Sequence, residues 1–124
     1  MEDKVKVQLE YLINCSPRVL FNRLSTASGL AEWFADDVRV KGKKYTFVWS
    51  GSEQTAEMTL HKENKLVRYK WLEDDGYFEF RITQDELTND VSLIVTDFAE
   101  EDEKEDTIEL WNTQIDDLKH VLGS

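Results

Sequence analysis

Leu66-Val67-Arg68-Tyr69-Lys70-Trp71-Leu72-Glu73-Asp74-Asp75-Gly76-Tyr77-Phe78-Glu79-Phe80-Arg81-Ile82-Thr83 is the stretch on which the fold turns. Within it Val67, Tyr69 and Trp71 alternate with Arg68 and Lys70, and Phe78, Phe80 and Ile82 alternate with Glu79, Arg81 and Thr83. A period of two marks a strand with one buried face, because successive side chains point to opposite sides of a sheet. Asp74-Asp75-Gly76 between the two runs is a hairpin signal. The stretch predicts two neighbouring antiparallel strands.

The same period extends in both directions, over residues 38 to 98. Val38 to Lys41 reads as a short strand closed by Gly42, and Tyr45, Phe47 and Trp49 as a strand ending at Gly51. Ala56, Met58 and Leu60 alternate with Glu57, Thr59 and His61 before a turn at Glu63-Asn64, which puts His61 on the polar side. A last strand, Val91 to Phe98, follows Thr88-Asn89-Asp90. Turns this short make the sheet an antiparallel meander. Near the start, Val5, Val7, Leu9, Tyr11 and Ile13 alternate with Lys4, Lys6, Gln8 and Glu10 and predict one more strand.

Helical spacing surrounds the meander. Ser16-Pro17 is a helix start, an N-cap acceptor followed by a residue with no N–H to leave unpaired. The helix it opens carries Leu20, Phe21 and Leu24, and a second from Thr26 carries Leu30, Trp33 and Phe34 before a turn at Asp36-Asp37. The final segment has Asp106 as expected N-cap, Glu109 three residues on, Lys119 and His120 in the last turn and Gly123 beyond. At 100° per residue its Ile108, Trp111, Ile115, Leu118 and Leu122 fall within about 80° of arc, with Leu110, His120 and Val121 off that stripe. Two short helices after strand 1, six to seven strands and one long C-terminal helix form an α+β domain. Its sheet must bend around the only helix long enough to cover it.

Length and composition agree. A chain of 124 residues and 14.6 kDa, 40% hydrophobic and 33% charged, suits one domain over residues 1–124. It can bury roughly two-thirds of its unfolded surface without a disulfide or metal. One cysteine, Cys15, no apolar run of membrane-spanning length and a charged start (Glu2, Asp3, Lys4, Lys6, Glu10) in place of a signal peptide predict a cytoplasmic protein. The formal charge of −11 argues against nucleic acid as a partner. Between Asp97 and Glu109 eight acids face the single base Lys104. That run reads either as a docking patch for a basic protein or, more plainly, as a solvated linker and helix start. It lacks the fixed oxygen spacing and glycine of a hard-cation loop, so no metal is expected there.

Ser16-Pro17-Arg18-Val19-Leu20-Phe21-Asn22-Arg23-Leu24-Ser25-Thr26, leading to Leu30-Ala31-Glu32-Trp33-Phe34, resembles the opening signature of the START-like (SRPBCC) helix-grip superfamily. The branch it is most similar to contains homologues of the heat-shock chaperone ATPase activator. Leu66 to Trp71 is similar to that branch's central strand, and Leu110 to Lys119 to its closing helix with an early Trp. The chain departs from it at Ser28-Gly29, where the branch often has Pro-Glu, and at Asp97-Phe98-Ala99, where it often has a His-Gly ending. The resemblance implies an apolar cavity between sheet and terminal helix for a lipid-like or polyketide-like molecule, in some members with catalysis.

Nothing in the residues themselves points to an enzyme. There is no nucleophile elbow, P-loop, dinucleotide fingerprint or His/Cys metal spacing, so catalytic residues, metal and cofactor are all expected to be none. Cys15 beside a helix start could have a depressed pKa, but the plainer reading is a small apolar filler. Glu57 and Glu79, in polar phase, are expected to face water. The aromatic set remains. Trp33, Trp49, Met58, Tyr69, Trp71, Phe80, Trp111 and Ile115 are the expected ligand-binding residues, with the Tyr69 hydroxyl or indole N–H groups orienting the guest, unless the same rings simply fill the core. The alternative function is a chaperone-regulating interaction domain using the acidic surface toward a basic protein partner. A cyclase-like enzyme is third.

Overall fold

The structure, a computed structural model, describes residues 4–123; Glu2 and Asp3 of the charged start lie outside the described residues. Strand β1 (Lys4–Ile13) leads into α1 (Pro17–Ser25) and α2 (Ala27–Leu30). The meander follows as β2 (Asp37–Lys41), β3 (Lys44–Trp49), β4 (Ser52–Lys62), β5 (Leu66–Trp71), β6 (Tyr77–Gln84) and β7 (Val91–Glu100). A 3₁₀ turn at Glu101–Glu103 passes directly into α3 (Lys104–Leu122). All seven strands form one curved antiparallel sheet in the order β1-β7-β6-β5-β4-β3-β2, so the first strand closes the meander beside the last. The quoted stretch forms the β5–β6 pair, with Tyr69 opposite Phe78.

Local chemistry sets the helix ends. Ser16 accepts the Val19 N–H at 3.2 Å, and Pro17 opens α1. Thr26 caps α2 by accepting the Gly29 N–H at 2.9 Å. Helix α2 is shorter than the spacing of Leu30, Trp33 and Phe34 predicts. The Leu30 carbonyl accepts from Trp33, Phe34 and Ala35 together, which ends the ladder and leaves Trp33 and Phe34 on a tight turn. Helix α3 begins ahead of Asp106 and without the expected capping box: Glu103 precedes it with no side-chain cap, because the 3₁₀ turn already sets the helical path. Its acidic first turn, Glu105 and Asp106, complements the macrodipole. Gly123 closes it with φ 71°, a left-handed position that glycine occupies without steric penalty.

Two side chains correct the alternation reading. A bulge between Met58 and Leu60 shifts the register of β4 against β5, so His61 pairs with Val67 and meets the Phe21 ring edge-on at 5.2 Å. The extra residue exchanges the two faces, turning His61 toward α1 and Leu60 outward. Glu79 lies in the outward phase but does not face water. It is 6% exposed, its Oε1 accepting Arg68 Nε and Nη2 at 2.9 and 2.7 Å, with Arg81 Nη2 3.7 Å from Oε2. The Arg68 guanidinium also lies over the Tyr77 ring, 4.3 Å from its centroid, and completes the cover.

The core lies between the inner sheet face and the helices. Leu20, Phe21 and Leu24 of α1 and Trp111, Ile115 and Leu118 of α3 are buried, as the helical stripes predict. Helix α1 packs on β5 and β6, whereas α3 lies against β1 and β7, where the Tyr11 hydroxyl donates to Asn112 Oδ1 at 2.7 Å. Coverage is therefore uneven, and the β3–β4 end meets α3 through the turn carrying Phe34. Cys15 is a half-buried free thiol, and burial pushes its pKa up, against the smaller pull of a backbone hydrogen bond and Arg23. That favours the filler reading over a reactive thiolate.

Candidate functional site

The eight expected ligand residues come together on the inner face. Tyr69, Phe80, Trp33, Trp111 and Ile115 are buried; Trp49, Met58 and Trp71 are half-buried against the same core. Phe80 is 5.8 Å, centroid to centroid, from both Trp33 and Trp111. Phe34 occupies the centre. Its ring stacks on Phe78 at 5.2 Å and Trp111 at 5.8 Å, and meets Phe47 and Trp49 edge-on at 5.2 and 5.5 Å. A turn residue thus fills the wedge between sheet and terminal helix.

The polar atoms of the aromatic set have a structural task that the sequence did not suggest. A helix leaves its last four carbonyls without intrahelical partners. At the end of α1, Thr26 Oγ1 donates to the Asn22 carbonyl at 2.8 Å and Trp33 Nε1 to the Arg23 carbonyl at 2.9 Å. The Tyr69 hydroxyl donates to the Leu24 carbonyl at 2.7 Å and the Tyr45 hydroxyl to the Ser25 carbonyl at 3.1 Å. All four are satisfied by side chains. Tyr69 is fully buried, and burial holds its hydroxyl far above the ordinary tyrosine pKa, with Tyr45 adding to the shift. It is a fixed donor already committed to α1 and does not reach toward a guest.

At the mouth of the wedge Phe34, Trp49, Gln54, Asp97, Leu110, Trp111 and Gln114 line an open cleft of about 300 Å³. Trp49 Nε1 and Gln114 Nε2 both donate to the Phe34 carbonyl, at 2.7 and 3.2 Å, and fix the turn from two sides. Asp97 Oδ2 accepts Trp111 Nε1 at 2.8 Å and Oδ1 accepts its neighbour Phe98 N–H at 2.7 Å. Burial pushes the Asp97 carboxyl above the usual aspartate range, although those two donors and Lys4 pull against it. Asp97 therefore does not belong to a solvated linker: it lies on β7, in phase with Val91, Leu93 and Val95. An acid in the apolar phase of a strand was the signal that could have found it, and Gln54, in phase with Ala56 and Met58, carried the same signal.

Two further clefts are more polar. A groove of about 650 Å³ adjoins the mouth, shares Phe34, Trp49, Leu110 and Gln114 with it, and runs past Asp36, Asp117 and His120. Another, of about 590 Å³, lies between α1 and the β4–β5 turn and is lined by Arg18, Arg23, His61 and Glu63 among others. Among the described residues no group of three or more His, Cys, Asp or Glu side chains is arranged to hold a metal ion. No helix among them is long and apolar enough to cross a membrane.

Comparison with known proteins agrees with this architecture. A family model described as a START-like superfamily domain matches residues 1–124. A Bacteroides fragilis protein solved by solution NMR is 36% identical, with 98% of this chain and 93% of that one covered and a TM-score of 0.70. The Aha1 dimer from Colwellia psychrerythraea is 20% identical over 95% of this chain and 92% of its own, with a TM-score of 0.72. DynU16, from the dynemicin biosynthetic locus, is 14% identical over 96% of this chain and 47% of its own, with a TM-score of 0.78. These last two likenesses concern the fold alone. No curated protein matches.

Proposed function

The chain belongs to the START-like superfamily, and from that premise we propose that it binds a small hydrophobic molecule, lipid-like or polyketide-like, between the sheet and α3. Fold alone does not decide function, so the reading rests on a site. The observation that carries it is the cleft of about 300 Å³ at the wedge mouth, roofed by Phe34 on a turn and flanked by Trp49 and Trp111. Pockets of this size lined by aromatic side chains with a few polar groups are the usual form of a small-molecule site. Trp49 and Trp111 would meet the guest, with Trp33, Met58, Tyr69, Trp71, Phe80 and Ile115 in the core behind the cleft. Binding needs Phe34 to yield, and a turn carrying it can move with less disruption than a helix interior. The free thiol of Cys15 suits the reducing interior of a cell, where we place the protein.

The test uses a neutral fluorescent probe, N-phenyl-1-naphthylamine, excited by energy transfer from the tryptophans. Wild type should enhance its emission saturably. Leu110→Lys, at a cleft residue that is 58% exposed and so dispensable for folding, should abolish the effect. Absence of saturable binding to wild type would remove the proposal.

A second reading is favoured by one feature: Glu101, Asp102, Glu103, Glu105 and Asp106 are all exposed at the start of α3. They suit a basic protein partner of a chaperone-regulating domain. Association of that kind should weaken steeply with salt and vanish on charge reversal of Glu101, Glu103 and Glu105.

A further inference from the structure

The cleft at the wedge mouth combines one inward carboxylate with aromatic side chains, and that combination has a preferred guest. Each oxygen of Asp97 accepts one protein N–H, at 2.8 and 2.7 Å, and an ionised carboxylate oxygen has room for another donor. Trp49, Trp111 and Phe34 border the same space. The negative ring face of an aromatic attracts a cation, most strongly for Trp. The adjoining groove carries the same sign, with Glu32, Asp36 and Asp117 along it beside His120. Among the described residues neither lysine nor arginine lines the cleft or the groove. Glu32 is engaged by Arg23 at 3.3 Å and Asp36 by the Ser50 N–H at 2.8 Å, whereas Lys4, whose charge acts on Asp97, is paired with Asp74 at 3.9 Å. A formal charge of −11 draws cations toward this surface and repels anions.

Resting on the binding reading above, we infer that the hydrophobic guest carries a protonated amine or comparable organic cation, held by Asp97 in the cleft that Trp49 and Trp111 border. Asp97 is the specificity-determining residue. A carboxylate of the same shape would meet the Asp97 charge across a half-buried cleft with no basic side chain to receive it, and is rejected. Desolvation costs the ionised Asp97 carboxylate here despite its two N–H donors, and the arriving cation offsets that cost.

The experiment compares 4-phenylbutylamine, 4-phenylbutanol and 4-phenylbutyrate, which share a body and differ in charge, by calorimetric titration of the wild-type chain and of Asp97→Asn. The amine should bind wild type roughly tenfold tighter than the alcohol, as a charge-assisted hydrogen bond allows, with the butyrate weakest. In Asp97→Asn the ratio of amine to alcohol affinity should fall to about one. Equal binding of all three by wild type, or a ratio unchanged by the substitution, overturns the cation inference and leaves hydrophobic binding standing. Binding of none of them by wild type overturns both. The wild-type comparison decides the matter even if Asp97→Asn proves unstable.

Discussion

Replacing Tyr69 by Phe removes one oxygen from a side chain with no exposed surface and leaves the ring and its contacts with Phe78 and Tyr45 in place. What is lost is the 2.7 Å hydrogen bond to the Leu24 carbonyl, one of the four terminal acceptors of α1. Among the described residues no other donor reaches that carbonyl, and a buried acceptor left unpaired costs about 1–3 kcal/mol. Tyr45→Phe removes the equivalent bond to Ser25, 3.1 Å long and only part-buried, where water can replace it; its cost should be about 0.5–1.5 kcal/mol. For a domain of this size each kcal/mol lowers Tm by about 3–6 °C. Urea titration should show a lower midpoint at unchanged slope, with Tyr69→Phe the more damaging. The raised pKa of Tyr69 adds a signature. The fold binds its proton more tightly than the unfolded chain does, so its contribution is intact below the ordinary tyrosine value of about 10 and is lost as pH rises beyond it. That alkaline loss should shrink in Tyr69→Phe. A cost for Tyr69→Phe no greater than for Tyr45→Phe would refute the capping argument.

Other substitutions test other links. Gly29→Ala should destabilise strongly, because a Cβ there would come within 2.4 Å of the Asn22 carbonyl oxygen and 2.7 Å of the Arg23 Cα; a thermal melt close to that of wild type would contradict the close approach of α2 to α1. Phe34→Ala should cost about 3–5 kcal/mol in unfolding titrations while enlarging the cleft, so naphthylamine affinity per folded molecule should rise; a fall would mean that Phe34 is a contact and not a plug. Asp97, with its folded pKa raised by burial, stabilises fully below the ordinary aspartate value, and this contribution is lost as pH rises through its own elevated one. The stability advantage of wild type over Asp97→Asn, followed by denaturation from pH 3 upward, should therefore decline with pH, and an advantage that grows with pH would show the sign to be wrong.

Local rules made the elements legible. Ser16-Pro17, the alternation in β3, β5, β6 and β7 and Gly123 each act through neighbours a few residues away, and the structure places them as those rules require. What escaped depends on distant partners. Thr59 reads as one more alternating residue, and only the pairing of β4 with β5 makes it the bulge that turns His61 toward Phe21 of α1. Glu79 lies in the outward phase, but Arg68 directly across the ladder removes it from water. Tyr69 and Trp33 look like ligand handles until the end of α1 is brought beside them in three dimensions. Asp97 was hidden by its company: within a run of acids it looked like one more surface charge, although its phase with Val95 pointed inward.

The four tryptophans offer the most direct measurement of the central claim, that the space between sheet and α3 opens for a guest beneath Phe34. In a ¹⁵N-labelled sample titrated with 4-phenylbutanol, the indole N–H signals of Trp49 and Trp111, which border the cleft, should shift together along one saturable curve. That of Trp33, sealed against the Arg23 carbonyl, should stay in place. Unmoved Trp49 and Trp111 signals at a probe concentration that saturates the protein by calorimetry would place the guest elsewhere and contradict the account.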